Sequence, residues 1–211
     1  MKITSMNYPL IRRSFPHGAE LLIPDPTRVK ETYERLLAFN PATPFPYWAR
    51  VWPASTALSN YLHQYPYWIR EKKVLEIGAG IGSPSFAIAS MAGKIVITDN
   101  DPEAVELARE NIRRSGLTNV TAHMLDWGQL PDDLAAEVVL LSDVNYDPDQ
   151  FGNLMHMMDR FLAEGSTLVL STPQRITASR FMDVIGPHVK ASAQMTIHDD
   201  GRSTEVSISV L

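Results

Sequence analysis

Cysteine does not occur in this sequence of 211 residues. Its absence excludes disulfides, iron–sulfur clusters, cysteine-ligated zinc and a thiol nucleophile, and it suits a reducing compartment. No run of about 18 apolar residues, the length that crosses a membrane, is present. The N-terminal segment also lacks the apolar core of a signal peptide. We therefore expect a cytoplasmic protein that has no membrane partner.

Positive charge is also in short supply. Nineteen Lys and Arg face 24 Asp and Glu, which gives a net charge of −5. A general nucleic-acid binder would carry a clustered basic face, so nucleic acid is not an expected partner. The serine-hydrolase elbow, the phosphate-binding P-loop and the H-E-x-x-H zinc helix are likewise missing. We expect no metal site, and a monomer is compatible with the sequence.

Glycine is scarce before residue 78, where proline and aromatic residues are concentrated. Ten of the eleven glycines lie from Gly78 onward, whereas nine of the fifteen prolines lie in the first 66 residues. Half of the 18 aromatic residues fall between Phe39 and Trp68, a density that a solvated linker would not carry. This distribution predicts an N-terminal cap over residues 1–67 that packs on a core domain over residues 68–211.

From Lys72 onward, short apolar runs alternate with amphipathic stretches of helical length, which predicts β-α-β units on a parallel sheet. Asp101 is a good N-cap, Pro102 suits the first helical position and Gly116 suits the end of that helix. The segment around Asp199 to Arg202 predicts a terminal hairpin, which makes the sheet mixed. The predicted strands are 72–77, 94–99, 119–127, 137–144 and 166–172, and the predicted helices are 83–92, 101–116, 149–165 and 175–186.

A glycine turn follows the first predicted strand of the core. Gly78, Ala79, Gly80 and Gly82 lie where the strand passes into a helix, a position at which glycines let a nucleotide-like ligand approach the backbone. Glu76 is unfavourable for a pyrophosphate but suits a ligand that carries an ammonium group and a sulfonium. S-adenosylmethionine therefore fits better than a dinucleotide, although a turn used only for packing is the alternative.

Acidic residues end the next two predicted strands. Asp99 lies 21 positions after Gly78, close to the offset of about 20 at which an acid binds ribose hydroxyls in dinucleotide folds. Asn100 is predicted to line the same pocket. Asp126 would accept a hydrogen bond from the adenine amine, and Trp127 would close on the ring unless it belongs to the core.

Asp143 and Tyr146 follow the fourth predicted strand, at the edge that faces the methyl donor. Asp143 would orient an incoming amine, and Tyr146 would exclude water. An aromatic residue at the rim of a loop is the alternative for Tyr146.

Together with the segment from Tyr47 to Ala54, these motifs resemble those of the seven-strand protein lysine methyltransferases, in particular the group of the electron-transfer-flavoprotein β-subunit methyltransferase and its bacterial relatives. The resemblance covers residues 40 to 211 and implies a Rossmann-like α/β fold. Its sheet would have seven mostly parallel strands with a C-terminal antiparallel hairpin, helices on both faces and an N-terminal cap.

The resemblance also implies roles for particular residues. Trp52 would contact the donor, and Asp126 and Trp127 would contact the adenine. Asp143 and Tyr146 would stand between donor and acceptor as the catalytic residues. Asn145 departs from the apolar or aromatic residue that is more frequent at this place in the family.

The function predicted from the sequence is methylation of a lysine side chain in a protein substrate, with S-adenosylhomocysteine as the product. Tyr47, Trp48 and Tyr146 would form an aromatic site that disfavours the charged amine. Simple packing of the cap is the alternative for Tyr47 and Trp48. Three alternatives to the function itself stay open: a small-molecule N-methyltransferase, a nucleotide- or NAD-binding protein, and an inactive binding module.

Overall fold

The protein, described here from a computed structural model that covers residues 7–145, 147–174, 179–199 and 201–211, contains a seven-stranded sheet. The strand order is β5-β4-β3-β6-β7-β9-β8. Strands β3 to β7 are parallel, and β9 runs antiparallel to both β7 and β8. This confirms the predicted fold class. The strands are Lys73–Ile77 (β3), Lys94–Asp99 (β4), Val120–Met124 (β5), Val138–Ser142 (β6), Thr167–Pro173 (β7), Ala191–Asp199 (β8) and Arg202–Val210 (β9).

The sheet is buried on both faces by helices. Along β3, Val74 faces one apolar core and Leu75 faces the other, as the alternation of side chains in a strand requires. Helices α2 and α3 cover the first face, and α5 and α6 cover the second. The helices are Pro26–Phe39 (α1), Pro53–Gln64 (α2), Ser83–Ile88 (α3), Pro102–Ser115 (α4), Phe151–Ala163 (α5) and Ser179–Ile185 (α6).

The part of the chain before β3 contains elements that the sequence did not predict. A hairpin joins β1 (Leu10–Ser14) to β2 (Glu20–Pro24), and α1 follows it. The buried Asn111 of α4 fixes this hairpin, because its side chain accepts a hydrogen bond from the Leu22 amide at 2.8 Å and donates one to the Leu22 carbonyl at 3.0 Å. Helix α2 packs against β7, β8 and β9.

Capping explains both boundaries of α4. The Asp101 carboxylate accepts from the Glu103 amide at 2.8 Å, Pro102 opens α4 and Gly116 ends it with a φ of +67°, as predicted. Helix α3 ends at Ile88 and is shorter than expected, because Asn119 donates to the carbonyls of Ala89 and Ala92 and holds the chain in a turn. Within the described residues, no helix is both long and apolar enough to cross a membrane.

Candidate active site

A cavity of about 820 Å³ opens at the carboxyl ends of β3, β4, β5 and β6. Strand order reverses between β3 and β6, since β4 lies on one side of β3 and β6 on the other. Ligands bind at such switch points because the loops diverge there and leave a crevice. The lining includes eleven of the predicted site residues: Tyr47, Trp48, Trp52, Gly78, Ala79, Gly80, Asp99, Asn100, Asp126, Trp127 and Asp143.

Two glycines shape the turn after β3. Gly78 and Gly80 have φ values of +64° and +54°, in the left-handed region that favours glycine. A Cβ atom at Gly78 would lie 3.1 Å from Cγ1 of Val144, and one at Gly80 would lie 3.2 Å from the carbonyl oxygen of Trp48. The Ala79 amide donates to the Thr98 carbonyl at 2.9 Å, which ties the turn to β4. The bare backbone of the turn therefore forms part of the cavity wall.

Glu76 and Gly82, two of the predicted donor-binding residues, lie behind this wall and are not part of the cavity lining. Glu76 is fully buried, and its Oε2 accepts hydrogen bonds from the amide and the hydroxyl of Ser85. Strand alternation explains this orientation, because Glu76 shares a face of β3 with Val74 and so points towards α3. Burial raises the pKa of Glu76 to about 7. Gly82 precedes α3 and packs on Ile97.

Asp99 ends β4 and is only 8% exposed. Its Oδ2 accepts from the Gly80 amide at 2.7 Å and its Oδ1 accepts from the Asp101 amide at 2.9 Å. Burial raises the pKa of Asp99. A carboxylate has about four acceptor sites, so two backbone bonds leave capacity for hydroxyl donors. Ribose binding by Asp99, with Asn100 beside it, stays a prediction.

Asp126 and Trp127 line the cavity just after β5, the strand next to β4 in the sheet. Asp126 is exposed, and its Oδ1 accepts from the Gly128 amide at 2.8 Å. The half-buried Trp127 ring lies against Gly78, since a Cβ atom there would approach its Cζ3 within 3.2 Å. The indole is thus both a core contact and a cavity wall.

Asp143 follows β6 and is 7% exposed. Its φ of +54° is a left-handed conformation that costs a non-glycine residue about 1 kcal/mol or more. The Asp143 amide donates to the Ser171 carbonyl at 2.9 Å, which fixes this backbone to β7. The next buried polar residue, Asn145, accepts from the Thr172 hydroxyl at 3.2 Å. Tyr146 lies outside the described residues.

An aromatic wall comes from the segment before α2. The Tyr47 and Trp52 rings are stacked with centroids 6.0 Å apart, and the Trp52 indole N–H donates to the Tyr47 carbonyl at 3.0 Å. Tyr47 is 46% exposed, whereas Trp48 is only 8% exposed and packs with Leu22 of β2 and Leu107 of α4. The Trp48 backbone contacts the glycine turn, while its ring packs in the core.

Several lining residues were not among the predicted ones. Phe45 and Arg50 lie in the aromatic-rich segment between Phe39 and Trp68. The composition of that segment could have indicated them as lining residues. Asp101 is the N-cap of α4, and the Asp147 carboxylate accepts from the Asp149 amide at 3.0 Å. Tyr8 had no sequence signal; it lines the cavity, and its ring centroid lies 6.1 Å from that of Trp48. These five residues complete the lining together with others from the same loops.

The site and the sheet together define the class of this protein. A glycine turn after the first core strand, an acid at the end of the second and a cavity at the switch point of a mostly parallel sheet with an antiparallel hairpin form a Rossmann-like methyltransferase fold. The sequence model described as "Lysine methyltransferase" matches residues 47–187. The chain belongs to this family.

Individual relatives agree with this membership. The chain is 35% identical to the electron transfer flavoprotein beta subunit lysine methyltransferase of Mus musculus over 136 residues, which is 62% of this chain and 51% of the relative. It is 31% identical to the histone-arginine methyltransferase METTL23 of Xenopus laevis over 120 residues, which is 54% and 51% of the two chains. The chain thus spans about half the length of these curated relatives.

A solved structure shows the same fold. The Pyrococcus abyssi tRNA (uracil-54, C5)-methyltransferase in complex with S-adenosyl-L-homocysteine superposes with a TM-score of 0.60 and 13% identity, covering 96% of this chain and 44% of that one. This similarity concerns the fold alone.

Proposed function

We propose that this protein transfers a methyl group from S-adenosylmethionine to the side-chain amine of a lysine in a protein substrate. The observation that carries the proposal is the cavity itself: in a chain of the lysine methyltransferase family, a glycine turn, an acid-rich lining and an aromatic wall meet at one sheet edge. Acids and aromatic faces both favour cationic ligands.

The residues present fit the donor. The glycine turn offers bare backbone at Gly78 and Gly80, where a Cβ atom would press on Val144 or on the Trp48 carbonyl. Asp99 would bind the ribose hydroxyls, and Asp126 and Trp127 would bind the adenine. When bound, S-adenosylmethionine supplies an electrophilic methyl group on a positively charged sulfur.

The amine must be neutral before it can react. With a lysine pKa of about 10.4, removing the proton at pH 7 costs about 4.6 kcal/mol in water. A partly desolvated aromatic wall at Tyr47 and Trp52 would lower this cost by disfavouring the ammonium form. A neutral amine held at this wall would present its nitrogen lone pair to the methyl group that S-adenosylmethionine supplies, and the thioether would be the leaving group.

Asp143 would hold and align the acceptor. Its backbone is fixed in a left-handed conformation at the end of β6, so its position is set before an acceptor arrives. Positioning of this kind supplies most of the rate in a displacement that needs little acid–base chemistry. We assign it to orientation and propose no dedicated base.

Residues 1–67 would shape the acceptor entrance as a cap. This division of the chain is supported by the aromatic wall, whose members Phe45, Tyr47 and Trp52 all precede the core domain at residue 68.

A labelling experiment tests the proposal. The purified chain is incubated with tritiated S-adenosylmethionine and a cell extract, and labelled proteins are identified by gel and mass spectrometry. Radioactivity in methyl-lysine is the expected result, with the Asp143→Asn variant as control. Label only in methyl-arginine or only in small molecules would refute the lysine assignment, and no transfer to any acceptor would refute the enzymatic function.

A further inference from the structure

Arg50 stands out from the rest of the cavity lining by its charge. Among the described residues that line the cavity, it is the one Lys, Arg or His, whereas six are acidic: Asp99, Asp101, Glu103, Asp126, Asp143 and Asp147. The acids alone would be enough to bind a purely cationic ligand. The single arginine among them therefore indicates that the ligand also carries an anionic group.

The acids of the cavity do not supply that anion. The ion pairs found within the described part of the chain do not include Arg50. Five of the six acids accept hydrogen bonds from backbone amides: Asp99, Asp101, Glu103, Asp126 and Asp147. No acid in the described part of the chain thus pairs with the exposed Arg50 guanidinium, and its N–H groups are available to an anionic group of a ligand.

The Arg50 guanidinium is held in a defined place. Its Cζ lies 4.6 Å from the centroid of the Trp52 ring, and the Trp52 indole is itself fixed by its hydrogen bond to the Tyr47 carbonyl. A guanidinium that packs on a ring keeps its in-plane N–H groups available for a carboxylate. The Trp52 ring, held by this hydrogen bond, thus supports the Arg50 guanidinium at the cavity.

The position of Arg50 indicates which carboxylate it meets. Adenine at the end of β5 and ribose at the end of β4 place the amino-acid part of the donor beside the turn that follows β3, because these strands are adjacent in that order. The backbone of Trp48, two residues before Arg50, contacts this turn at Gly80. Arg50 therefore lies at the amino-acid end of the proposed donor.

We propose that Arg50 binds the carboxylate of the methionine part of S-adenosylmethionine. This assignment rests on the proposed function. It explains why an otherwise acidic cavity carries one cation: the acids favour the sulfonium and the ammonium of the donor but repel its carboxylate, and Arg50 offsets that repulsion.

Calorimetry with two ligands tests the assignment. S-adenosylhomocysteine carries the carboxylate, whereas its decarboxylated analogue, S-adenosyl-3-thiopropylamine, keeps the adenosine, the thioether and the ammonium. Arg50→Met should lower the affinity for S-adenosylhomocysteine about tenfold or more, the effect expected for losing a charge-assisted pair. The affinity for the analogue should change less than about twofold, and Arg50→Lys should recover part of the loss.

The matched control is Arg35→Met, on the exposed part of α1 outside the cavity lining, which should bind both ligands as the unaltered chain does. Equal losses for the two ligands in Arg50→Met, or none for either, would overturn the role of Arg50 while leaving the methyltransferase proposal intact. Failure of the unaltered chain to bind S-adenosylhomocysteine would overturn both.

Discussion

Replacing Glu76 by glutamine should change how the stability of this protein depends on pH. Glu76 is fully buried in β3, and its pKa is raised from 4.5 to about 7, chiefly by burial. Ser85 donates two hydrogen bonds to Oε2, while Oε1 has no partner among the described residues. The ionised carboxylate is therefore poorly compensated in the folded protein.

The direction follows from the two pKa values. Between pH 4.5 and about pH 7, the folded protein keeps a proton that the unfolded chain releases, so the free energy of unfolding falls as pH rises. At about 1.4 kcal/mol for each pH unit between the two values, the loss across this window is about 3 kcal/mol. The stabilisation is complete below pH 4.5 and absent above about pH 7.

Urea unfolding of the native chain and of Glu76→Gln at intervals from pH 5 to pH 8 measures the effect. Glutamine keeps the shape and cannot ionise, so the difference in unfolding free energy between the two proteins should shift by about 2 to 3 kcal/mol in favour of the variant. Glu34→Gln, on the exposed side of α1, removes one carboxyl group as a control. Parallel stability curves for the native chain and Glu76→Gln would refute the reasoning.

Three further changes test other parts of the structure. Gly78→Ala should weaken binding of S-adenosylhomocysteine about tenfold in calorimetry, because its Cβ would lie 3.1 Å from Val144 and 3.2 Å from the Trp127 ring, and the cavity wall would have to shift. Gly116→Ala, with a similar φ and nothing within 4 Å, should cost about 1 kcal/mol of stability and leave binding intact; an equal loss of binding in the two variants would contradict the steric argument. Asn111→Ala should lower stability by about 2 kcal/mol and speed amide exchange at Leu22, because both Leu22 backbone bonds are lost; unchanged exchange there would count against the clamp. Asp143→Asn should leave S-adenosylhomocysteine binding largely intact and slow methyl transfer at least about tenfold, and a full rate in the labelling assay would remove Asp143 from the acceptor site.

Local signals in the sequence were sufficient for the core of the fold. The cap of α4 by Asp101 and its end at Gly116 depend on neighbours in the chain, so both were predictable. The hairpin of β1 and β2 was not, because it is held by Asn111, which lies 89 residues from Leu22. A polar residue on an amphipathic helix gives no sign that it will bind a distant strand.

The candidate site divides in the same way. Asp99 and Asp143 lie at the ends of parallel strands, so the sequence predicted both at one edge of the sheet. The structure brings them to one cavity. The same argument does not apply to Glu76, which lies within β3 and not at its end. Its side chain therefore points to a face of the sheet and is buried there. The role of Arg50 could not be inferred from the sequence, because it depends on the acidic residues that the fold brings around it.

Trp52 belongs to the cavity wall and also directly precedes α2, whose buried residues Ala54, Ala57, Leu58, Tyr61 and Leu62 lie in the core beside the sheet. The wall therefore loses its conformational freedom once, when the chain folds, and not again each time an acceptor arrives. Evolution of a different acceptor preference along this wall would consequently have to preserve the start of α2. Changes at Phe45 or Tyr47 are open to such divergence, whereas Trp52 is constrained because it directly precedes that helix.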